Sequence, residues 1–354
     1  MLNYRDGLAD MPLYDTREQD WNIKVNANES NVGLPPLVED RVMTRLSRIA
    51  FARYPNEEYD MLCEQIGDAY GYRQENIIIG NGSSEIIEKV FYAFGGDRAH
   101  KIVYPRPSFS MYAIYAAAAD VTGVPVPLRD DYQLDVEAFI REVNQSDASL
   151  AVICNPNNPT GQVLTTDEIE YIASHISCAF LVDEAYAEFC DCSVISLLKK
   201  YPHMMVARTF SKAYALASCR VGYMLAHEDV IDMLAKTYMP YHMNVPSLVI
   251  ADTVFQMRTE FEPQIQMICA ERERMQERYQ ALADLTVYPS HANFLLIHYA
   301  QAEALNEDLI KYGIGVRSFG KAPGLENMLR ISIGRPDEND EVYRVIKAVV
   351  EVHS

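Results

Sequence analysis

Residues 150–168 read Leu150-Ala-Val-Ile-Cys-Asn-Pro-Asn-Asn-Pro-Thr-Gly-Gln-Val-Leu-Thr-Thr-Asp-Glu168, and this stretch decides the fold. Five apolar residues without polar alternation predict a strand buried on both faces. A Pro/Asn/Gly turn ends it. Thr165-Thr-Asp-Glu168 then has the Ser/Thr-x-x-Glu pattern of a capping box, which predicts a helix start. Buried strand, turn and helix in succession form the repeating unit of a parallel sheet covered by helices.

Outward from this stretch the unit recurs. Asn76-Ile-Ile-Ile79 leads into Gly80-Asn-Gly-Ser-Ser84 and an amphipathic stretch over 85–94. Ala179-Phe-Leu-Val182, Met204-Met-Val-Ala207 and Gly222-Tyr-Met-Leu-Ala226 supply further strands. From about residue 255 the pattern changes to a long charged helix over 261–282, followed by a short strand at Asn293-Phe-Leu-Leu-Ile297. A helix near 302–312, the strand Met328-Leu-Arg-Ile-Ser-Ile333 and a closing helix complete it. The expected fold class is α/β, a mostly parallel sheet with helices on both faces, plus a smaller α+β domain. The expected divisions are an N-terminal segment, 1–40, packing with the small domain; a large domain, 41–255; and a small C-terminal domain, 256–354.

The composition narrows the function classes. With 49% hydrophobic and 23% charged residues, the 354-residue chain has a globular balance and enough length for a large core. Its 31 Lys+Arg against 50 Asp+Glu give a net charge of −19, which repels nucleic acid and anionic membrane surfaces. A small anionic ligand in a locally basic pocket stays compatible with that charge. The seven cysteines form no C-x-x-C pair and no zinc-spaced cluster with histidine, so reduced thiols and no metal are expected. The N-terminus turns acidic at Asp6 and lacks a signal-peptide core, and the longest apolar run, 111–119, falls short of the about 20 residues of a membrane span. A cytoplasmic protein without a membrane partner is expected.

In an open parallel sheet, ligands bind at the carboxyl ends of the strands, so the residues that follow each strand are the candidates. After Ile79 come Gly82, Ser83 and Ser84 at a helix N-terminus, whose backbone N–H groups attract anions. After Cys154 comes a turn presenting amide side chains, after Val182 come Asp183-Glu-Ala-Tyr186, and after Ala207 come Thr209-Phe-Ser-Lys212. Each element alone reads as an ordinary turn or cap, and Gly313-Ile-Gly315 is given no role. Jointly they call for Schiff-base chemistry with pyridoxal 5'-phosphate. Lysine forms a reversible bond with an aldehyde cofactor, a carboxylate keeps the pyridine nitrogen protonated, and hydroxyls with an arginine hold the phosphate.

At these residues the chain resembles the pyridoxal-phosphate aminotransferases of the aspartate-aminotransferase superfamily, fold type I, class II-type, in the subgroup containing histidinol-phosphate aminotransferase. The matching stretches include Val25-Asn-Ala-Asn-Glu29, Arg53-Tyr-Pro-Asn56, Gly80-Asn-Gly-Ser-Ser-Glu85, Asn155 to Gly161, Val182-Asp-Glu-Ala-Tyr186, Arg208-Thr-Phe-Ser-Lys212, Arg220-Val-Gly222 and Leu329-Arg-Ile-Ser-Ile-Gly334. Lys212 followed eight residues later by Arg220 is the most specific spacing.

The resemblance implies Lys212 as the Schiff-base lysine and proton carrier, Asp183 as partner of the pyridine nitrogen, and Asn158 with Tyr186 on the ring oxygen. It implies Phe109 stacking on the ring, and Gly82, Ser83, Ser84, Thr209, Ser211 and Arg220 around the phosphate of a cofactor held by the large domain. Tyr54 would reach the cofactor of a partner subunit, which implies a homodimer with shared active sites. Arg330 and Arg317 would bind the substrate's anionic end, with Tyr14 and Asn28 lining the same pocket, whereas Arg335 reads as a surface residue. The expected reaction exchanges an amino group between L-histidinol phosphate and 2-oxoglutarate, in histidine biosynthesis. An aromatic amino-acid aminotransferase and a threonine-phosphate decarboxylase of cobalamin synthesis share the same motifs. Two departures bear on the substrate: His242 and Pro246 alter a Pro-Tyr-Asn-x-Asn segment that lies near the pocket in this family, and 28–33 lacks the usual Asn-Pro after Glu29.

Overall fold

The computed structural model describes residues 19–353. In chain order the elements are β1 (Ile23–Lys24), α1 (Pro36–Leu46), α2 (Glu58–Tyr70), β2 (Ile77–Asn81), α3 (Gly82–Phe94), β3 (Lys101–Arg106), α4 (Met111–Ala118) and β4 (Thr122–Pro127). Then come α5 (Val136–Gln145), β5 (Leu150–Cys154), α6 (Thr166–His175), β6 (Ala179–Asp183), β7 (Met204–Thr209), β8 (Val221–Ala226), α7 (Glu228–Ala235) and α8 (Val245–Gln256). The chain closes with α9 (Glu262–Gln280), β9 (Leu285–Tyr288), β10 (Phe294–Tyr299), α10 (Ala302–Lys311), β11 (Ile314–Gly315), β12 (Arg317–Ser318), β13 (Met328–Ser332) and α11 (Pro336–His353).

Seven strands form one sheet in the order β2-β8-β7-β6-β5-β3-β4. Only β8 runs against its neighbours, so the sheet is mostly parallel as expected. The period of two along a strand sends successive side chains to opposite faces, and each face has its own core. Leu150 and Val152 of β5 join Leu181, Met205 and Met224 beneath α3 and α4. Ala151 and Ile153 join Phe180, Val182, Met204 and Val206 beneath α2, α5, α6 and α8. Burying each such aliphatic side chain contributes about 1.5–3 kcal/mol, which explains why these strands read as continuous apolar runs. The capping box at α6 forms as read: Glu168 N donates to Thr165 Oγ1 at 3.2 Å, and Thr165 N donates to Glu168 Oε2 at 2.8 Å. Strand β4, with Pro125 and Pro127, takes the sheet edge, where missing N–H donors cost least.

A second, antiparallel sheet has the order β12-β13-β10-β9, and β1 pairs in parallel with β11. The segment after β1 is tied to both: Val25 N donates to Gly315 O at 2.9 Å, and Val25 O accepts from Ser332 N at 2.9 Å. Thus Gly313-Ile-Gly315, given no role from sequence, supplies the strand that anchors this segment. Residue 40 lies inside α1. Among the described residues no helix is long and apolar enough to cross a membrane.

Candidate active site

A cavity of roughly 640 Å³ opens at the carboxyl edge of the large sheet. Gly82, Ser83, Ser84, Phe109, Asn158, Asp183, Tyr186, Thr209, Ser211, Lys212 and Arg220 line it, together with Asn28, Arg317 and Arg330. Topology explains the convergence. Strands β2, β5, β6 and β7 point the same way and end at this edge. Because β8 is antiparallel, its first residue starts there, which brings Arg220 to the same cavity.

Two titratable groups at the cavity floor are displaced toward neutral pH. Burial pushes the Asp183 carboxyl up to about 6, opposed by hydrogen bonds from Tyr112 Oη (2.9 Å) and Ala185 N (3.2 Å). Burial likewise pushes the Lys212 ammonium down to about 7, reinforced by the charges of Arg330 and Arg220 and opposed by Glu29 and Asp183. Lys212 Nζ donates to Ala27 O at 2.9 Å. Three guanidinium groups therefore make the cavity electropositive inside an acidic chain.

A hydrogen-bond relay joins the sheet to the small domain. Tyr186 Oη accepts from Asn28 Nδ2 at 3.0 Å and from Asn158 Nδ2 at 3.2 Å. With both lone pairs engaged, its own proton is left to donate. Arg330 Nη1 donates to Asn158 Oδ1 at 2.6 Å and Arg330 Nη2 to Asn26 O at 2.7 Å, with the guanidinium 5.4 Å from the Phe294 ring centre. Arg317 and Arg330 are directly opposed on β12 and β13.

Of the amides in the 155–159 turn, only Asn158 serves the cavity. Asn155 closes the turn through Leu164 N (2.8 Å), and Asn157 Nδ2 holds Pro107 O (3.1 Å) and Thr160 Oγ1 (2.9 Å). Other supporting residues gave no sequence signal of their own. Tyr112, fully buried in the first turn of α4, orients Asp183, and its ring meets that of Phe109 edge-on at 5.6 Å. Gly222 admits a close approach: a Cβ there would lie 2.2 Å from Ser83 N, so β8 presses on the start of α3. Behind the strand ends, buried Arg208 pairs with Glu184 at 2.8 Å and Glu188 at 3.0 Å, linking the segments that carry Asp183 and Lys212.

Some expected residues lie elsewhere. Tyr14 lies outside the described residues. Tyr54 does not line this cavity; it is 76% exposed and stacks on Tyr241 at 4.6 Å. His242 is not in the cavity either: its Nε2 meets Ile79 O at 2.9 Å, and its ring packs on Tyr238, a structural role. Arg335 is at the surface, paired with Asp337. The expectation of reduced thiols is corrected at one place, because Cys190 and Cys192, with Cα atoms 5.5 Å apart, form a disulfide.

Comparison with known proteins shows the family and the fold. A family model described as aminotransferase class I and II matches residues 20–346. Histidinol-phosphate aminotransferase of Thermoanaerobacter pseudethanolicus is 33% identical over 346 residues, covering 98% of this chain and 98% of that protein. Histidinol-phosphate aminotransferase of Pyrococcus furiosus is 35% identical over 338 residues, covering 96% and 95%. Among solved structures, histidinol-phosphate aminotransferase from Sinorhizobium meliloti in complex with pyridoxal-5'-phosphate has the same fold, with a TM-score of 0.87 at 24% identity over 95% of this chain and 93% of that one.

Proposed function

We propose that this chain, which belongs to the aminotransferase class I and II family, exchanges an amino group between L-histidinol phosphate and 2-oxoglutarate, giving imidazole-acetol phosphate and L-glutamate in histidine biosynthesis. The observation that carries the reading is the full-length likeness to histidinol-phosphate aminotransferases at 33–35% identity. Arg317 and Arg330, both lining the cavity, support it, since guanidinium groups take a phosphate or carboxylate through charge-assisted hydrogen bonds.

The residues present fit pyridoxal 5'-phosphate by their donor chemistry. Ser83, Ser84, Thr209 and Ser211 offer hydroxyls beside Arg220 and the start of α3, and Arg220 leans so closely over Gly82 that a Cβ there would lie 2.6 Å from its Nη2. Asp183 would pair with the ring nitrogen, Tyr186 and Asn158 would donate to the ring oxygen, and Phe109 would cover the ring. When bound, the cofactor supplies an aldehyde that takes up the amine and a protonated ring that draws electrons from the adjacent carbon.

The chain's own residues do the rest. Lys212, whose amine would hold the cofactor's aldehyde, would also be the base that takes the proton from the amine-bearing carbon and the acid that gives it back. An ammonium with its pKa near 7 suits both tasks at neutral pH. Arg330 orients the substrate's anionic end. Phe109, Phe319 and Leu325 exclude water from the cavity.

The same shift predicts how the apoprotein takes up its cofactor. Only the neutral amine of Lys212 is nucleophilic, and Asp183 is ionised above about 6. The uptake rate is expected to rise with pH and level off above about 7. Stopped-flow absorbance across pH 5.5–9 checks this, and a rate still climbing toward the ordinary lysine value of 10.5 would refute the shift.

Within this reading the working unit is a homodimer in the cytoplasm. Tyr54, Tyr241 and Met239, all more than half exposed, form an apolar surface that a second copy would cover. The reading also keeps three divisions, with the first boundary moved from residue 40 to the start of α1 at Pro36 and the cofactor held by the middle one. Turnover of histidinol phosphate, phenylalanine and threonine phosphate, each with and without 2-oxoglutarate, tests the substrate. Preference for histidinol phosphate with glutamate formed is expected. Preference for phenylalanine, or carbon dioxide release from threonine phosphate, would overturn it.

A further inference from the structure

The outer wall of the cavity is a loop. Phe319, Ala322 and Leu325 line the cavity from a chain of successive turns: Ala322 N donates to Phe319 O (3.0 Å), Leu325 N to Ala322 O (2.9 Å) and Met328 N to Leu325 O (3.2 Å). Gly320, Gly324 and Asn327 have φ of 55°, 79° and 59°. Such a segment, bonded mainly to itself, needs an outside contact to fix its distance from the large sheet.

Tyr132 provides that contact. It sits in the turn after β4, where its N donates to Arg129 O at 2.8 Å, and its hydroxyl donates to Gly324 O at 2.9 Å across 192 positions of sequence. Its ring meets Tyr288 edge-on at 4.8 Å and packs with Leu296, Leu325 and Met328 in a third apolar cluster, distinct from the two cores of the large sheet. The backbone of Tyr132 has φ 62°, a left-handed conformation that suits glycine or asparagine and penalises a bulky side chain. Surroundings that hold tyrosine there despite the penalty mark a side chain with a task.

We propose that Tyr132 is a positioning residue that latches the 319–327 loop over the cavity and so sets how firmly substrates are enclosed. The effect on substrates rests on the aminotransferase reading given above; the effect on the loop does not. Tyr132→Phe keeps the ring and its packing and removes only the hydroxyl, which reaches Gly324 O and lies beside the Tyr288 hydroxyl. In the holoenzyme, amide hydrogen exchange over 319–327 is expected to quicken by about three- to tenfold, the span of one hydrogen bond's net worth. The KM for histidinol phosphate is expected to rise by a similar factor, with kcat changed less than about twofold, because enclosure is shared by ground and transition states. Unchanged exchange would overturn the latch whatever the substrate proves to be. Faster exchange with an unchanged KM for the substrate identified in the panel would overturn its role in enclosure, and a kcat loss with KM unchanged would place Tyr132 in the chemistry instead.

Discussion

Lys212→Ala is expected to lower transamination by about 10,000-fold or more, the largest effect of any single substitution in the chain. The same amine serves as the anchor for the aldehyde and as the carrier of the proton, so no neighbour compensates. Asp183 has the wrong charge, and Tyr186 is kept protonated by burial. Treatment of the wild-type holoprotein with borohydride is expected to leave the cofactor covalently on the peptide carrying Lys212, detectable by mass. If the alanine variant still acquires that mass on another lysine at comparable yield, the assignment of Lys212 is wrong.

Loss of activity by this variant is separable from loss of fold. Lys212 titrates near 7 in the folded chain against 10.5 when unfolded, so between those values the unfolded state binds more protons and stability rises with pH. Below pH 7 the folded chain carries the full penalty of a charged, crowded ammonium. Removing the amine relieves it, and the apoprotein of the variant is expected to melt no lower than wild type at pH 6. The variant also tests the shared sites. If Tyr54 completes the partner's cavity, mixing Lys212→Ala with Tyr54→Ala subunits rebuilds one intact site in each mixed dimer. Recovery of roughly a quarter of wild-type activity is expected after random reassortment, from a Tyr54→Ala protein that is inactive by itself, whereas full activity of Tyr54→Ala by itself would mean that each subunit works alone.

The sequence made these positions legible because they stand where buried strands stop. In β5 and β6 an apolar run ends abruptly in Asn155 and Asp183, and in β7 it ends in Arg208-Thr209, and a polar residue at that edge has a ligand or a cap to serve. The same signal located Gly82 to Ser84 after β2. Arg220 was found by its spacing from Lys212, although the reason for that spacing, a strand running against its neighbours so that its start lies at the shared edge, emerged only with the strand pairing.

What stayed hidden depends on contacts between distant segments. Tyr112 orienting Asp183 and Tyr132 reaching Gly324 leave no periodicity and no local motif, and Asn28, expected in the pocket, gave no sign that its partner there is Tyr186. The anchor of the N-terminal segment is a two-residue strand pair, too short for any pattern. The division of labour among Asn155, Asn157 and Asn158 was also unreadable, since three similar amides in one turn differ only in where the folded backbone points them.

Arg330→Ala carries the second-largest expectation, a drop in kcat/KM of about 100- to 1,000-fold for both the amino donor and the oxo acid, comparable with truncating one partner of a buried, hydrogen-bonded charge pair. Both substrates would suffer because both present an anion to the same guanidinium. The loss would extend inward: Arg330 Nη1 holds Asn158 Oδ1, and Asn158 in turn holds Tyr186 Oη. Arg330→Lys keeps the charge but not the planar fork, so it should recover only part of the activity. A purely structural arginine would lower stability and leave pH behaviour alone, and here the two differ. The Arg330 charge helps to hold the Lys212 ammonium down, so removing it should move the midpoint of cofactor uptake above its expected value near 7. An alanine variant that lost activity with that midpoint unmoved would show that Arg330 does not act electrostatically on Lys212. A loss of less than about threefold in kcat/KM for either substrate would remove it from the clamp.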